Sequence, residues 1–600
     1  MMLNAFQKLL AILRTQRFWI MAGIAMRTSP RAALSAILCI LGGKRVRGWH
    51  RLVAVAARNP IEYSIWIRLT EPLAFSQYLD CHADKPARPP NTGMVACLIL
   101  PAPGRGLTDA DRTADSLKSA LGDQVHIWSS FQDMPEATCH KHVASASLAE
   151  TLDKIRREGP FVWLIPLVAG DVVSHHLHDC LMVASRNWKN AEAIYWDEDE
   201  LSEEGTRKRP WIKPDWDEHL FLARDMLCGS AAFAMKALIS HAQCSEPTGD
   251  ITEQLTKSVT TMAAAAKGNI GHIPLVLTHR STTEGFMPPV TRANWIAQHW
   301  PEKIKAETRL TAAPFLSIRF PAPPKWPSVS ILIPTRDNAD LLAACLSGLQ
   351  RLDYGGEINI IVIDNGSTQK SAIDLISGHE QAGFIRVIRD AAPFNFSRLN
   401  NLAAQHANGE FLCLMNNDIE PLDGAWLSEM MRHAVRSRIG AVGAMLLYPD
   451  RTIQHAGVTI GMGNAAGHIE RGIQPDDLHH YAWHAVTRQV SAVTAACLLL
   501  RKEYYFSVGG LDENVFEVAF NDVDLCLKLD KAGLRNIYVA EAQLLHHESK
   551  SRGSDYSPEN IERFRRELVA LQERWGTTVH QDPYFSRRFA RASEQCQLEI

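Results

Sequence analysis

The chain has 600 residues, too many for one ordinary core and enough for about two to four domains. Apolar residues make up 46% and charged residues 22%, which excludes a wholly disordered, collagen-like or many-spanning membrane protein. A net charge of −3 excludes a uniformly basic nucleic-acid binder, and 12 scattered cysteines without a C-x-x-C pair point to free thiols in a reducing compartment.

The balanced charge hides an asymmetry. Residues 1–60 hold ten basic side chains (Lys8, Arg14, Arg17, Arg27, Arg31, Lys44, Arg45, Arg47, Arg51 and Arg58) and no Asp or Glu. Apolar patches around Phe18–Met26 and Ala32–Leu41 are interleaved with them, each shorter than the ~20 residues a membrane-spanning helix needs. Gly42-Gly43-Lys44-Arg45 makes a poor signal-peptide cleavage site. The pattern fits either a helix lying on an anionic membrane surface or a basic helical lead-in packed on the next domain. The expected location is cytoplasmic, with peripheral contact at the inner face of the membrane.

Two Pro-rich stretches, 82–93 and 313–328, divide the rest. The expected blocks are a basic, apolar helical segment at 1–85, a domain at 93–290, a Pro-rich linker at 291–325 and a domain at 326–600. In the last block, Val329–Thr335, Ile358–Asp364, Phe384–Ile388 and Phe411–Met415 read as buried strands, with helices between them. The helix from about Ser397 to Ala407 ends at Asn408-Gly409, a good C-terminal cap. This alternation predicts a mainly parallel, doubly wound α/β sheet, in which ligands bind at the carboxyl ends of strands. Those ends carry Thr335-Arg336-Asp337, Asp364, Arg389-Asp390 and Asn416-Asn417-Asp418. Neither a G-x-G-x-x-G nor a Walker loop is present, so a diphosphate here calls for a divalent metal bridging a carboxylate, with Asp418 the candidate ligand. Read alone, Asp418 is better taken as a turn aspartate capping the next helix, near Asp423-Gly424.

Further on, Asp522 opens the predicted helix after Phe520-Asn521, where the helix N-terminus favours an ionised carboxylate. It is either a routine cap or a general base aimed into the cleft. The strand Tyr538–Leu545 ends in His546-His547, and adjacent side chains on a strand face opposite ways.

Residues 326–555 resemble a family 2 glycosyltransferase with the GT-A fold, of the bacterial O-antigen and polysaccharide type that includes rhamnosyltransferase-like members. The stretches that carry the resemblance are SILIPTRDN, IIVIDNGST, PFNFSRLNN, FLCLMNNDIEP, IQHAGV, VTAACLLLRKEYYFSVGGLDE, FNDVDLCLKL and LLHHESKSRG, in order. The resemblance implies inverting transfer from a nucleotide-diphosphate sugar to a hydroxyl of a glycan or lipid-linked glycan, with Mg²⁺ or Mn²⁺. It places Thr335, Arg336, Asp337 and Asp364 at the nucleotide, and Asn395, Ser397 and Asn400 in a donor-side loop. Asn417 and Asp418 fall in the metal motif, whose first position is Asn416. Asn521 precedes Asp522, the expected base. His546 takes the metal-side position by its spacing to Ser551, with His547 as the alternative.

The middle block repeats this pattern. Phe161–Asp171 parallels the lead-in to Asp418, Leu227–Phe233 parallels Val493–Leu499, and Gly271–His279 parallels the strand before His546. Residues 93–290 thus resemble a second, degenerate GT-A-like domain: the expected metal position keeps only Asp171, and Asp250 is a weak candidate base. Asp197-Glu198-Asp199 reads as structural. The clusters Cys139-His-Lys-His142 and His175–Cys180 fit no zinc spacing. Residues 560–575 predict an amphipathic helix packed on the last domain. Three classes remain open: a transferase with one active domain, a bifunctional transferase, and a non-catalytic glycan-binding subunit.

Overall fold

The computed structural model describes residues 29–41, 62–83, 94–122, 125–131, 141–142, 147–244, 248–266, 268–281, 286–308, 315–478, 480–547 and 560–599, with a few positions between 19 and 27. Most of the basic positions in residues 1–60, most of the first Pro-rich stretch, Cys139 and Ser551 lie outside them. The chain forms two compact units, Met1–Trp216 with Met226–Met287 and Ser586–Ile600, and Asp217–Asp225 with Pro288–Phe585.

The second unit is built on a ten-stranded sheet. Arg386–Arg389, Ile358–Asp364, Val329–Thr335 and Phe411–Met415 run parallel, and Cys497–Arg501 follows antiparallel. Ile439–Leu447, Arg535–His546 and the short Ile419–Pro421 complete the order. Val329–Thr335 is buried throughout because both of its faces are covered. Val329, Ile331 and Ile333 pack with Leu342 and Leu346 in one core, while Leu332 packs with Leu399 and Ala403 in the other. That two-residue alternation fixes the register, and Thr335 emerges level with Asp364 at the carboxyl edge.

The first unit repeats the plan. Its sheet runs Lys141–His142, His126–Ser129, Val95–Leu100, Trp163–Val168, Ala231–Ala234, Ala193–Leu201, Ile270–Arg280, Val172–Val173. Parallel and antiparallel pairings fall at the same places as in the second sheet. In the first sheet Val172 pairs His279, and in the second Ile419 pairs His546. Asp171 and Asp418 immediately precede these residues, so the expected tandem α/β architecture is present down to register.

The boundaries differ from those read in the sequence. Residues 291–325 are not a bare linker. They include most of the helix Pro289–His299 and a hairpin of Lys305–Thr308 with Leu316–Arg319. Proline at the first helical turn costs nothing there, because those N–H groups have no intrahelical partner. Residues 1–85 are not a separate block either. The helix Tyr63–Ala83 places Ala74, Phe75 and Tyr78 in the core of the first unit. Its Trp66 donates from Nε1 to the Glu599 carbonyl, so the last residues belong to that unit and not to the 326–600 block. Among the described residues no helix is long and apolar enough to cross a membrane.

Candidate active site

A cleft of about 700 Å³ opens at the carboxyl edge of the second sheet. Thr335, Arg336, Asp337, Asn417, Asp418, Asn521, Asp522 and His546 all line it. They arrive from four places in the chain, and the sheet order brings them together. Asn417 donates from Nδ2 to Thr335 Oγ1 at 2.9 Å, joining two adjacent strand ends. Asp337 has φ 54° and accepts the Thr368 and Gln369 N–H groups at 2.7 and 2.8 Å, which hold its carboxyl below the usual range.

At the centre, Asp418 Oδ1 is buried and receives no hydrogen bond. His546 Nε2 lies 3.2 Å away. The other ring nitrogen, His546 Nδ1, is 2.6 Å from Gln454 Oε1, which directs Nε2 toward Asp418. His547 turns the other way, to Glu420 Oε2 at 3.0 Å, so His546 is the histidine on the cleft. A buried carboxylate oxygen without a donor, beside an oriented imidazole, fits a divalent cation. Among the described residues no group of three or more His, Cys, Asp or Glu could hold a metal. Asp418 and His546 could hold such an ion only with its other positions left to water and phosphate oxygens.

Asp522 begins the helix Asn521–Lys531. Its Oδ2 accepts the Ala495 N–H at 3.0 Å and its Oδ1 accepts its neighbour Val523 N–H at 2.8 Å. The helix start favours its ionised form, but burial outweighs those hydrogen bonds and raises its pKa. Phe520, just before it, has φ 61°, a backbone setting that costs a non-glycine residue about 1–3 kcal/mol and concentrates at functional sites.

Four expected residues do not line the cleft. Asp364 stands at the rim beside Thr335, and its Oδ1 accepts the Ser367 N–H at 2.9 Å. Asn395 caps the helix Phe396–His406 through the Arg398 N–H and donates to the Glu513 carbonyl. Ser397 Oγ donates to the Phe516 carbonyl. Asn400 donates to Phe396 within its own helix. Ser397 and Asn400 are buried and Asn395 partly so, and Asn395 and Ser397 fasten this helix to residues 513–516.

Residues 330–506 match the family described as glycosyl transferase family 2. This stretch is a family 2 glycosyl transferase domain. The chain is 36% identical over 415 residues to the uncharacterized protein y4gI of Sinorhizobium fredii, covering 67% of this chain and 45% of that protein. It is 32% identical over 411 residues to the O-antigen biosynthesis protein RfbC of Myxococcus xanthus, covering 66% and 31%. An N-acetylglucosaminyl-diphospho-decaprenol L-rhamnosyltransferase of Mycobacterium tuberculosis is 25% identical over 217 residues, covering 33% and 69%. The chain spans less than half the length of the first two relatives.

Asp522 and His546 lie beyond the matched stretch, yet they share the transferase domain's cleft. So do Gln454, His468, Arg471, Phe520 and Phe564, to which the sequence reading gave no role. Gln454 and Phe520 had a signal, as parts of the IQHAGV and FNDVDLCLKL stretches. Phe564 comes from the helix Ile561–Trp575, which also supplies Glu567. The Glu567 carboxylate accepts the Val518 and Ala519 N–H groups at 3.3 and 2.6 Å, tying down the segment before Asp522. Arg574 and Trp575 of that helix both donate to Asp524.

The corresponding place in the first unit is filled from within. Asp171 is fully buried, and Arg280 Nε lies 3.1 Å from its Oδ2. Ser281 donates to Asp171 Oδ1 from its N–H and its hydroxyl at 2.8 and 3.1 Å. A Cβ on Gly229, at φ +90°, would stand 2.4 Å from Arg280 Nη1, so glycine makes room for the guanidinium. His279 is held by Asp199 at 2.6 Å, and Asp199 also binds Tyr63 and Arg207. Glu198, which burial would raise, is drawn down to about 2 by Lys213 and Arg280. Asp250 caps the helix Ile251–Ala265, accepting the Thr252 and Glu253 N–H groups. The buried face of that helix offers Thr252, Thr256, Ser258 and Thr260 in place of a carboxylate.

Proposed function

We propose that the chain transfers a sugar, with inversion, from a nucleotide-diphosphate sugar to a hydroxyl of a bacterial surface glycan such as an O-antigen, capsule or exopolysaccharide, free or lipid-linked. The observation that carries this reading is the pairing, in one cleft, of a buried donor-free carboxylate beside His546 with a second carboxylate, Asp522, whose pKa burial has raised. The likeness to the O-antigen biosynthesis protein supports the product class.

Thr335, Asp337 and Asn417 shape the wall that takes the nucleotide, and Arg336 and Arg471 bring positive charge to the same cleft. Asp418 and His546 would hold Mg²⁺ or Mn²⁺, and such an ion supplies charge neutralisation for a leaving diphosphate. Asp522 receives the proton of the attacking acceptor hydroxyl at a carboxylate oxygen. Its raised pKa brings it nearer to working pH, where a general base is most effective. The two N–H groups on its oxygens orient it for that transfer. The first unit is non-catalytic in this reading, because Arg280 pairs with Asp171 and the buried face of the helix Ile251–Ala265 carries no carboxylate. Nine cysteines, those whose side chains are described, are free thiols, which supports a cytoplasmic location.

The test is release of nucleoside diphosphate from UDP-, dTDP- and GDP-sugars with Mg²⁺ or Mn²⁺. Release from one donor, abolished by Asp418→Ala and by Asp522→Asn, supports the reading. Release that survives both substitutions moves the activity to another site and sinks it.

A further inference from the structure

We propose that Phe520 and Phe564 form an acceptor subsite in the transferase cleft, an aromatic wall on which the C–H face of the sugar bearing the attacking hydroxyl packs. Both side chains line the cleft that holds Asp522, and their ring centroids lie 5.4 Å apart at 40°. Phe520 stands two residues before Asp522, and Phe564 comes from the helix Ile561–Trp575. The wall is held in place. Glu567, one turn along the helix from Phe564, accepts the Val518 and Ala519 N–H groups, so the peptide leading into Phe520 is fastened to the helix that carries the other ring. Leu571, one turn further on, is buried in the core of the second unit and anchors that helix. Phe520 packs against the same core, yet both aromatic side chains remain partly exposed. Phe520 also keeps a left-handed backbone, φ 61°, that glycine would adopt with less strain.

The inference rests on the transfer reading, which puts the acceptor hydroxyl at Asp522. The sheet order separates that place from the nucleotide wall. Phe411–Met415, which leads to Asp418, lies between Val329–Thr335 and Cys497–Arg501. Ala495, just before Cys497–Arg501, holds Asp522. Asp418 thus stands between Thr335 and Asp522, and rings beside Asp522 meet the acceptor and not the nucleobase. A hydroxyl that gives its proton to a carboxylate lies about 2.6–3.2 Å from it. The group nearest the wall is therefore the sugar ring that bears this hydroxyl, and a lipid joined to the glycan lies further off. A pyranose presents an apolar side of C–H bonds and a rim of hydroxyls, which suits an aromatic face with polar groups beyond it. His468 and Arg471 line the same cleft and supply such groups.

The test is saturation-transfer NMR on the full chain with Mg²⁺, irradiating aromatic protein protons. The probes are the methyl and octyl glycosides of N-acetylglucosamine, rhamnose and galactose. Saturation is expected to reach the C–H protons of one ring face in at least one methyl glycoside. Phe564→Ala should weaken binding of that glycoside about fivefold, and Phe564→Tyr should retain it. Affinity for UDP, dTDP or GDP, whichever binds wild type, should be the same in all three proteins. Absence of saturation on every sugar, or equal affinities for wild type and Phe564→Ala, would overturn the proposal. A loss confined to the octyl glycosides would overturn it by assigning the rings to the lipid, and a loss of nucleotide affinity by assigning them to the donor. Nucleoside-diphosphate release with Asp418→Ala tests the transfer reading separately. If that release behaves as expected while Phe564→Ala changes nothing, only the acceptor wall falls; if Phe564 governs sugar binding without any such release, only the transfer reading falls.

Discussion

Replacing Arg280 by Met tests whether an internal guanidinium stands in the first unit where the second leaves room for a cation. Arg280 is 7% exposed and faces Asp171, which is fully buried. Removing one partner of a buried pair costs about 3–5 kcal/mol, because the other charge is left uncompensated. Asp171 would still accept the Ser281 N–H, the Ser281 hydroxyl and the Val168 N–H, which places the loss near the lower end, about 3 kcal/mol. Burial already raises the Asp171 pKa, and Arg280 is the principal group opposing that rise. In the variant the folded-state value moves further above the unfolded one. The folded chain then binds more protons than the unfolded chain at pH above about 4, so the deficit grows as pH rises and shrinks as it falls. Asp171→Asn combined with Arg280→Met should recover part of the loss, the remainder reflecting Glu198, which keeps Lys213 but loses the guanidinium 3.6 Å away. Amide hydrogen exchange read by mass spectrometry on peptides covering Trp163–Val168 and Ile270–Arg280 localises the effect to this unit. An Arg280→Met protein with wild-type protection, or a double variant no better than the single one, would refute the substitution of guanidinium for metal.

The transferase domain gives three further expectations. Asp522→Asn should lower acceptor-dependent turnover by about 10²–10⁴-fold. In wild type, kcat/KM should fall on the acid side with an apparent pKa above the ordinary aspartate value, since the base works only when deprotonated and burial raises it; a profile flat down to pH 4 contradicts this. Asp418→Ala and His546→Ala should each weaken Mn²⁺ binding, read by electron paramagnetic resonance, and chelation should stop release until Mg²⁺ or Mn²⁺ is restored. Gln454→Leu leaves His546 Nδ1 without its acceptor and should cost about 10–100-fold in Mn²⁺ affinity, while Gln454→Glu retains most of it; equal affinities would assign Gln454 a packing role.

The strands of the second sheet were legible because most are short, fully buried apolar runs ended by polar residues. Val329–Thr335 and Phe411–Met415 were read with the bounds the structure gives them. The third strand slipped to Arg386–Arg389, since an edge strand with half-exposed residues has a weaker apolar pattern. The strand-end site residues were legible for the same topological reason. Asn395, Ser397 and Asn400 were assigned to the donor side, although an Asn just before an apolar helix already carries the mark of a cap. Gln454 and Arg471 reach the cleft from a short strand and a turn, where no local period announces them, and the helical period that put Phe564 on an apolar face did not say that this face meets the cleft. Arg280 was invisible in sequence. A lone arginine after a histidine has no pattern, and its meaning appears only when Val172 pairs His279 as Ile419 pairs His546.

One sheet plan therefore carries two opposite solutions to the same electrostatic problem. A carboxylate at this strand end is buried in both units, and burying it without a partner is costly. The first unit answers with its own cation, two Ser281 donors and a glycine that admits the guanidinium, and the place for a ligand is gone. The second leaves Asp418 Oδ1 without a hydrogen bond and with only His546 Nε2 beside it, which leaves room for a binding partner. It can sustain this because the surroundings are fastened elsewhere. Glu567 fixes the segment before Asp522, Arg574 and Trp575 fix Asp524, and Gln454 fixes His546. These ties lie in the hairpin at Gln454 and in the C-terminal helix, and they restrain the groups around the open carboxylate without filling its place.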